Sequence, residues 1–201
     1  MPNTLHFDTD SVLDQFLAVF WENGFRATTT KALAKSAGIS ESSLFNSFEN
    51  KREIYLSILR RYKEKSLHWR EQMESEESAL EGIRNYWNSL AAMAMDPAHS
   101  RGCLITNATV EQIADPEIAK YLKSVHLDYD KAFRKTLDRA VSQGELKPDT
   151  DTVALAQYLS HSAQGMRVLS KINPDRRKID NIKKMTMNTL AMYQVQPAHL
   201  D

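Results

Sequence analysis

The chain has 201 residues, 42% of them apolar, enough to bury a core in one or two domains. Lys plus Arg and Asp plus Glu both number 26, so no net field drives the molecule toward nucleic acid or an anionic membrane, and any such partner must be met locally. Short apolar runs and the lack of a charged-then-apolar opening point away from a membrane span or secretion signal. A single cysteine rules out an internal disulfide framework, and the expected location is a reducing cytoplasm.

The apolar period is helical almost throughout, so the fold class expected is all-α. Val12, Leu13, Phe16, Leu17 and Phe20 form one stripe, with Asp10 or Ser11 as cap and Gly24 as stop. Thr29 caps a short helix whose inward residues are Leu33, Ala34 and Ala37, and Gly38 supplies the left-handed residue that ends it. Ser40 caps a second short helix with Leu44 and Phe48 on its buried side. The next helix starts at Asn50, with Glu53 three residues on, and carries Ile54, Tyr55, Ile58, Leu59 and Tyr62. A stripe of Leu80, Ile83, Trp87, Leu90 and Ala91 runs to the break at Asp96-Pro97. A long helix opens at Asp115-Pro116, where proline suits the first helical position, and continues through Ile118, Leu122, Val125, Tyr129, Phe133, Leu137 and Val141 to Gly144. The last two helices run from Thr152 to about Lys171 and, after Asn173-Pro174, from Asp175 to about Tyr193. Only the first residues and the tail after Gln194 read as unstructured.

The stretch "ATTTKALAKSAGISESSLFNSFENK" therefore contains two short helices joined by a glycine turn, a helix-turn-helix whose second helix has the width of the DNA major groove. Ser40, Ser42 and Ser43 are small enough for close approach and, with Asn46, can hydrogen-bond phosphates or base edges. The free N–H groups that open the next helix, together with Lys51, make a site for a phosphate.

At these residues the sequence resembles the TetR family of bacterial transcriptional repressors: "FWENGF" ends the first helix, "TTTKALAKSAGIS" crosses the second, and "SSLFNSF" and "NK" follow. The resemblance implies a DNA-binding domain over residues 1–50 and a ligand-binding and dimerisation domain over 51–201, with dimerisation through the last two long helices. It carries DNA contacts over to Thr29, Lys31, Ser40, Glu41, Ser42, Ser43, Phe45, Asn46 and Lys51. It implies a homodimer on a near-palindromic double-stranded operator, acting as a repressor that a small molecule releases. Phe45 stands where the family usually has tyrosine, so a phosphate-bonding hydroxyl is replaced by ring packing alone. Glu41 repels phosphate unless it accepts from a cytosine amine. Over residues 1–53, Asp8, Asp10, Asp14, Glu22, Glu41, Glu49 and Glu53 outnumber Arg26, Lys31, Lys35, Lys51 and Arg52, so the expected salt dependence of DNA binding is modest.

For the effector, Trp69, Tyr86, Trp87, Tyr129 and Phe133 are aromatic candidates for the lining of an apolar pocket, though such a stripe also makes ordinary core. Cys103 follows Arg101 and Gly102 where a helix should begin, in "RGCLITNATVE", a stretch similar to that in one branch of the family. A helix N-terminus and a guanidinium lower a thiol's pKa, which makes a thiol-based redox or electrophile switch an alternative; a free cysteine is otherwise a small buried hydrophobe. His6, His68, His99, His126, His161 and His199 show no paired ligand spacing, and the His126/Asp130 pair reads as a solvated helix face, so no metal is expected. No phosphate-cradling glycine loop, nucleophile elbow or paired-carboxylate motif occurs, so neither enzyme activity nor a cofactor is expected. The acidic balance of the N-terminal helices keeps open a helical interaction protein that has lost DNA binding.

Overall fold

The computed structural model describes residues 9–111, 114–172 and 174–195. His6, His199 and Asn173 of the expected helix break lie outside them. The described residues form α1 (Thr9–Ala27), α2 (Thr30–Ser36), α3 (Glu41–Ser47), α4 (Lys51–Lys65), α5 (Leu67–Ser75), α6 (Ala79–Met95), α7 (Leu104–Glu111), α8 (Pro116–Ser142), α9 (Thr152–Ile172) and α10 (Arg176–Ala191), with a short 3-10 turn at Pro97–His99. Among these residues the single β-type pairing is one bridge between Leu146 and Gln194, so the all-α expectation holds. The bridge draws Val195, just past the expected end of order, into a bond from its N–H to Glu145 O.

Two compact units arise, one from residues 1–65 and 103–122, the other from residues 66–102 and 123–201. This grouping differs from a boundary at residue 50, because α4 and α7 both bury their apolar faces with α1. Phe16, Phe20, Ile54, Ile58, Leu104 and Ile105 are all at most 2% exposed and form the centre of the first unit. At its rim, Asp14 accepts from Arg61 Nε (2.7 Å) and Nη2 (2.9 Å) and also from Lys65, tying α1 to α4. Those two cations hold the Asp14 carboxyl well below the usual carboxylate range, with the Arg61 hydrogen bond the largest cause.

In the second unit the buried stripes of α6, α8, α9 and α10 meet around Trp87, which is fully buried. α5 forms a helix of its own, which the apolar spacing alone did not separate from α4. It lies so close to α6 that a Cβ on Gly82 would sit 2.3 Å from the Met73 carbonyl oxygen, so only glycine fits there. Arg139 of α8 donates to the Glu76 carbonyl at the end of α5, and the amides of Ala79 and Leu80 that open α6 donate to the Gln143 and Glu145 side chains. Helix ends in this unit are thus satisfied from other elements as well as by the local caps Ser78 and Asp175.

Candidate nucleic-acid interface

The helix-turn-helix forms where its caps and apolar spacing place it. Thr29 Oγ1 accepts from Ala32 N (3.1 Å) to start α2, and Gly38, at φ 64°, ends it with Ile39 N donating back to Ala34 O (3.0 Å). Ser40 Oγ accepts from Ser43 N (3.0 Å) to start α3, whose Leu44 is fully buried. With Leu44 directed into the core, α3 leaves Glu41, Ser42, Phe45 and Asn46 exposed on its outer side, and Ser43 half-buried. The Ser40 hydroxyl lies 2.8 Å from both the Ser42 and the Ser43 hydroxyls, so the three share one hydrogen-bonded cluster at the N-terminus of α3. Lys31 and the cap Thr29 are exposed at the start of α2. Phe45 keeps 47% of its surface exposed, a large ring on a face otherwise lined by small polar groups.

Lys51 sits differently from the phosphate anchor expected of it. Its ammonium donates to the carbonyls of Phe25 and Thr28, both at 2.9 Å, and lies 4.3 Å from the centre of the Phe25 ring. Two of its three N–H donors are therefore spent on bracing the turn between α1 and α2. The N-cap of α4 forms as expected, with Asn50 Oδ1 accepting from Glu53 N at 2.9 Å. Glu41 is engaged too, accepting from Thr30 Oγ1 at 2.9 Å across the motif.

A residue that sequence reasoning passed over completes this unit. α1 is interrupted at Gly24, whose φ of 74° and ψ of 176° turn the amides of Phe25 and Arg26 away from the helical ladder. Glu111, at the end of α7, accepts from both: Oε2 from Phe25 N (2.9 Å) and Oε1 from Arg26 N (2.7 Å). Below this turn Phe25 and Phe20 pack against Tyr55, whose hydroxyl pKa is pushed above its ordinary value mainly by burial and further by the Glu111 charge. Glu111 closes the "RGCLITNATVE" stretch, but a contact 85 residues distant leaves no periodic signal.

The effector candidates divide. Tyr86, Trp87, Tyr129 and Phe133 gather in the second unit: the Tyr86 ring stands edge-on to Phe133 (5.2 Å) and Trp87 (6.4 Å). Arg167 Nη2 donates to the Tyr86 hydroxyl at 2.9 Å, and its guanidinium carbon lies 5.9 Å from the Tyr129 ring centre. His126 stands 6.2 Å from Tyr129, and its pKa is lowered chiefly by burial, with Asp130 opposing and His161 and Arg167 adding to the shift. Trp87 Nε1 and Asp130 Oδ1 are buried with no protein group hydrogen-bonded to them. Trp69 is half-buried against His68 at 4.4 Å and stands outside this core, while Cys103 belongs to the first unit, buried just before α7. No group of three or more His, Cys, Asp or Glu is placed to hold a metal among the described residues.

A helix-turn-helix head with a second helical unit is a layout shared by known proteins, and the likeness extends to the sequence. Residues 12–58 match the model for bacterial regulatory proteins of the tetR family, and residues 79–186 match the tetracyclin repressor-like C-terminal domain. The chain belongs to the TetR family and is a DNA-binding transcriptional regulator. It is 33% identical to the HTH-type transcriptional regulator YezE of Bacillus subtilis, over 94% of this chain and 100% of that one. It is 28% identical to the HTH-type transcriptional repressor ComR of Escherichia coli, over 90% of this chain and 88% of that one. Its fold is also that of the TetR family regulator CifR, solved with a 26-bp operator duplex, at a TM-score of 0.81 and 24% identity, covering 91% of this chain and 97% of that one.

Proposed function

We propose that the protein is a cytoplasmic homodimeric repressor that reads a near-palindromic operator through α3 and is released by a small molecule bound in the second unit. The observation that carries the DNA-reading part is the exposed polar side of α3, with Ser42 and Asn46 outward and the Ser40–Ser43 hydroxyls clustered at its N-terminus. Such groups meet phosphates and base edges at close range. Thr29 and Lys31 add backbone contacts at the start of α2, and Phe45 supplies an apolar surface suited to a thymine methyl. Lys51 acts through the turn it braces more than through phosphate.

Dimerisation rests on an apolar stripe that one chain leaves open. On α9, Tyr158, Leu169 and Ile172 are exposed on one side with Gly165 between them, and a Cβ on Gly165 would meet nothing within 4 Å. Met185 on α10 and Met192, the residue just past its end and two turns further on, are exposed as well. A second copy laid isologously over both helices covers these residues, and an operator read in successive major grooves calls for two α3 helices about 34 Å apart, one helical turn of DNA.

The effector reading rests on Tyr86, Trp87, Tyr129 and Phe133 with two buried polar atoms among or beside them, the Trp87 indole N–H and Asp130 Oδ1. Aromatic walls with a few polar points are the usual make-up of a small-molecule site. A ligand that offers the indole an acceptor and the carboxylate a donor satisfies both. Light scattering at micromolar concentration tests the dimer, with a monomer as the contradicting outcome. Screening for compounds that release operator, repeated on Trp87→Phe, tests the site: release unaffected by losing the indole N–H counts against it.

A further inference from the structure

We propose that Glu111 is a positioning residue for operator binding, clamping the turn that orients the helix-turn-helix although it lies far outside the motif in sequence. Gly24 kinks the backbone and leaves the Phe25 and Arg26 amides at the start of a new helical turn, where a carboxylate is the favoured partner. Glu111 supplies one oxygen to each amide, at 2.9 and 2.7 Å, two charge-assisted bonds on a single side chain. A Cβ on Gly24 would sit 2.8 Å from Glu111 Oε2, so the glycine serves both the positive φ and the approach of the acid.

The same turn is held from its carbonyl side by Lys51, at Phe25 O and Thr28 O, and Thr28 Oγ1 donates to Gly24 O at 2.6 Å. Its amides are thus fixed by an anion from α7 and its carbonyls by a cation from α4. Thr28 is buried at 2% exposure and leads directly into Thr29, the cap of α2, and Thr30 then bonds to Glu41 at the head of α3. The direction in which α2 leaves the turn is inherited by α3. Glu111 touches no DNA in this account; it acts through the turn. The inference rests on the operator reading, so its test includes one arm without DNA.

That arm is amide hydrogen exchange on the wild-type chain alone. Phe25 and Arg26 should exchange slowly, and free exchange at both overturns the clamp whether or not an operator exists. The second arm titrates Glu111→Gln with a selected operator duplex and with random duplex by fluorescence anisotropy, well below the variant's melting temperature. The amide cannot accept from both N–H groups, so operator affinity should fall about tenfold, the worth of one such bond, with random-duplex affinity and its salt slope unchanged. Faster exchange should be confined to residues 25–28. Unchanged operator affinity, or equal loss on both duplexes, contradicts a positioning role. If Glu111→Gln does not fold, Gly24→Ala, which pushes the carboxylate aside, must show the same selective loss.

Discussion

Thr30 and Glu41 are joined across the helix-turn-helix, the threonine hydroxyl donating to the carboxylate at 2.9 Å. This places a negative charge on the side of α3 proposed to face nucleic acid and gives it a structural duty at the same time. Replacing Glu41 by Gln keeps an acceptor for Thr30 and removes the charge. At low salt, binding of Glu41→Gln to random duplex should tighten by about fivefold, and the difference should vanish toward 1 M salt, where the screening length is about 3 Å. Equal affinities at low salt would show that the carboxylate does not face phosphate.

Gly82 tests the packing of the second unit. Because a Cβ there meets the Met73 backbone oxygen at 2.3 Å, Gly82→Ala forces α5 and α6 apart. The expected loss is about 1–3 kcal/mol, the range for overpacking, measured by urea unfolding. A stability gain, the ordinary result of Gly→Ala inside a helix, would contradict the close approach.

His126 makes stability depend on pH. Its folded-state pKa lies below the ordinary 6.5, mainly through burial, so the unfolded chain takes up the proton first. Stability should be full above pH 6.5 and fall as the pH drops below it, until the folded form protonates as well. The charges that bear on the ring are Asp130, His161 and Arg167. Comparing urea midpoints at pH 8 and pH 5.5 checks this, and His126→Gln should flatten the difference.

Much of this architecture is legible in the sequence, since helix stripes and caps are local. Val12, Phe16 and Phe20 mark α1, Thr29 and Ser40 cap α2 and α3, and Gly24, Gly38 and Gly144 all take positive φ at or near the ends the reading gave them. Apart from the break between α4 and α5, the unread parts are long-range. That α7 belongs with the head follows from burial of Leu104 and Ile105 and from the Glu111 carboxylate, and neither has a periodic trace near the motif. Lys51 looks like a phosphate anchor from its place at a helix start, and only the folded turn reveals two carbonyls within its reach. For the effector cluster, spacing identifies apolar faces, but pairing Tyr86 with Phe133 and Arg167 requires three helices to be brought together.

Cys103 is buried at 9% exposure, at the start of a helix that packs into the head. A maleimide should label it slowly in the native protein and rapidly once denaturant is added, as for a packed thiol. Fast native labelling with loss of operator binding would instead support the thiol switch.

The central claim, that the exposed side of α3 reads a specific duplex, is tested most directly by selecting binding sites from random DNA with the purified protein at moderate salt. The enriched sequence is then titrated by anisotropy against the wild type and a Ser43→Ala, Asn46→Ala double variant. The expected result is a near-palindromic site whose affinity drops at least about tenfold in the variant, as loss of one good base contact entails. No enrichment by a folded, dimeric protein, or a site bound equally by the variant, would contradict it.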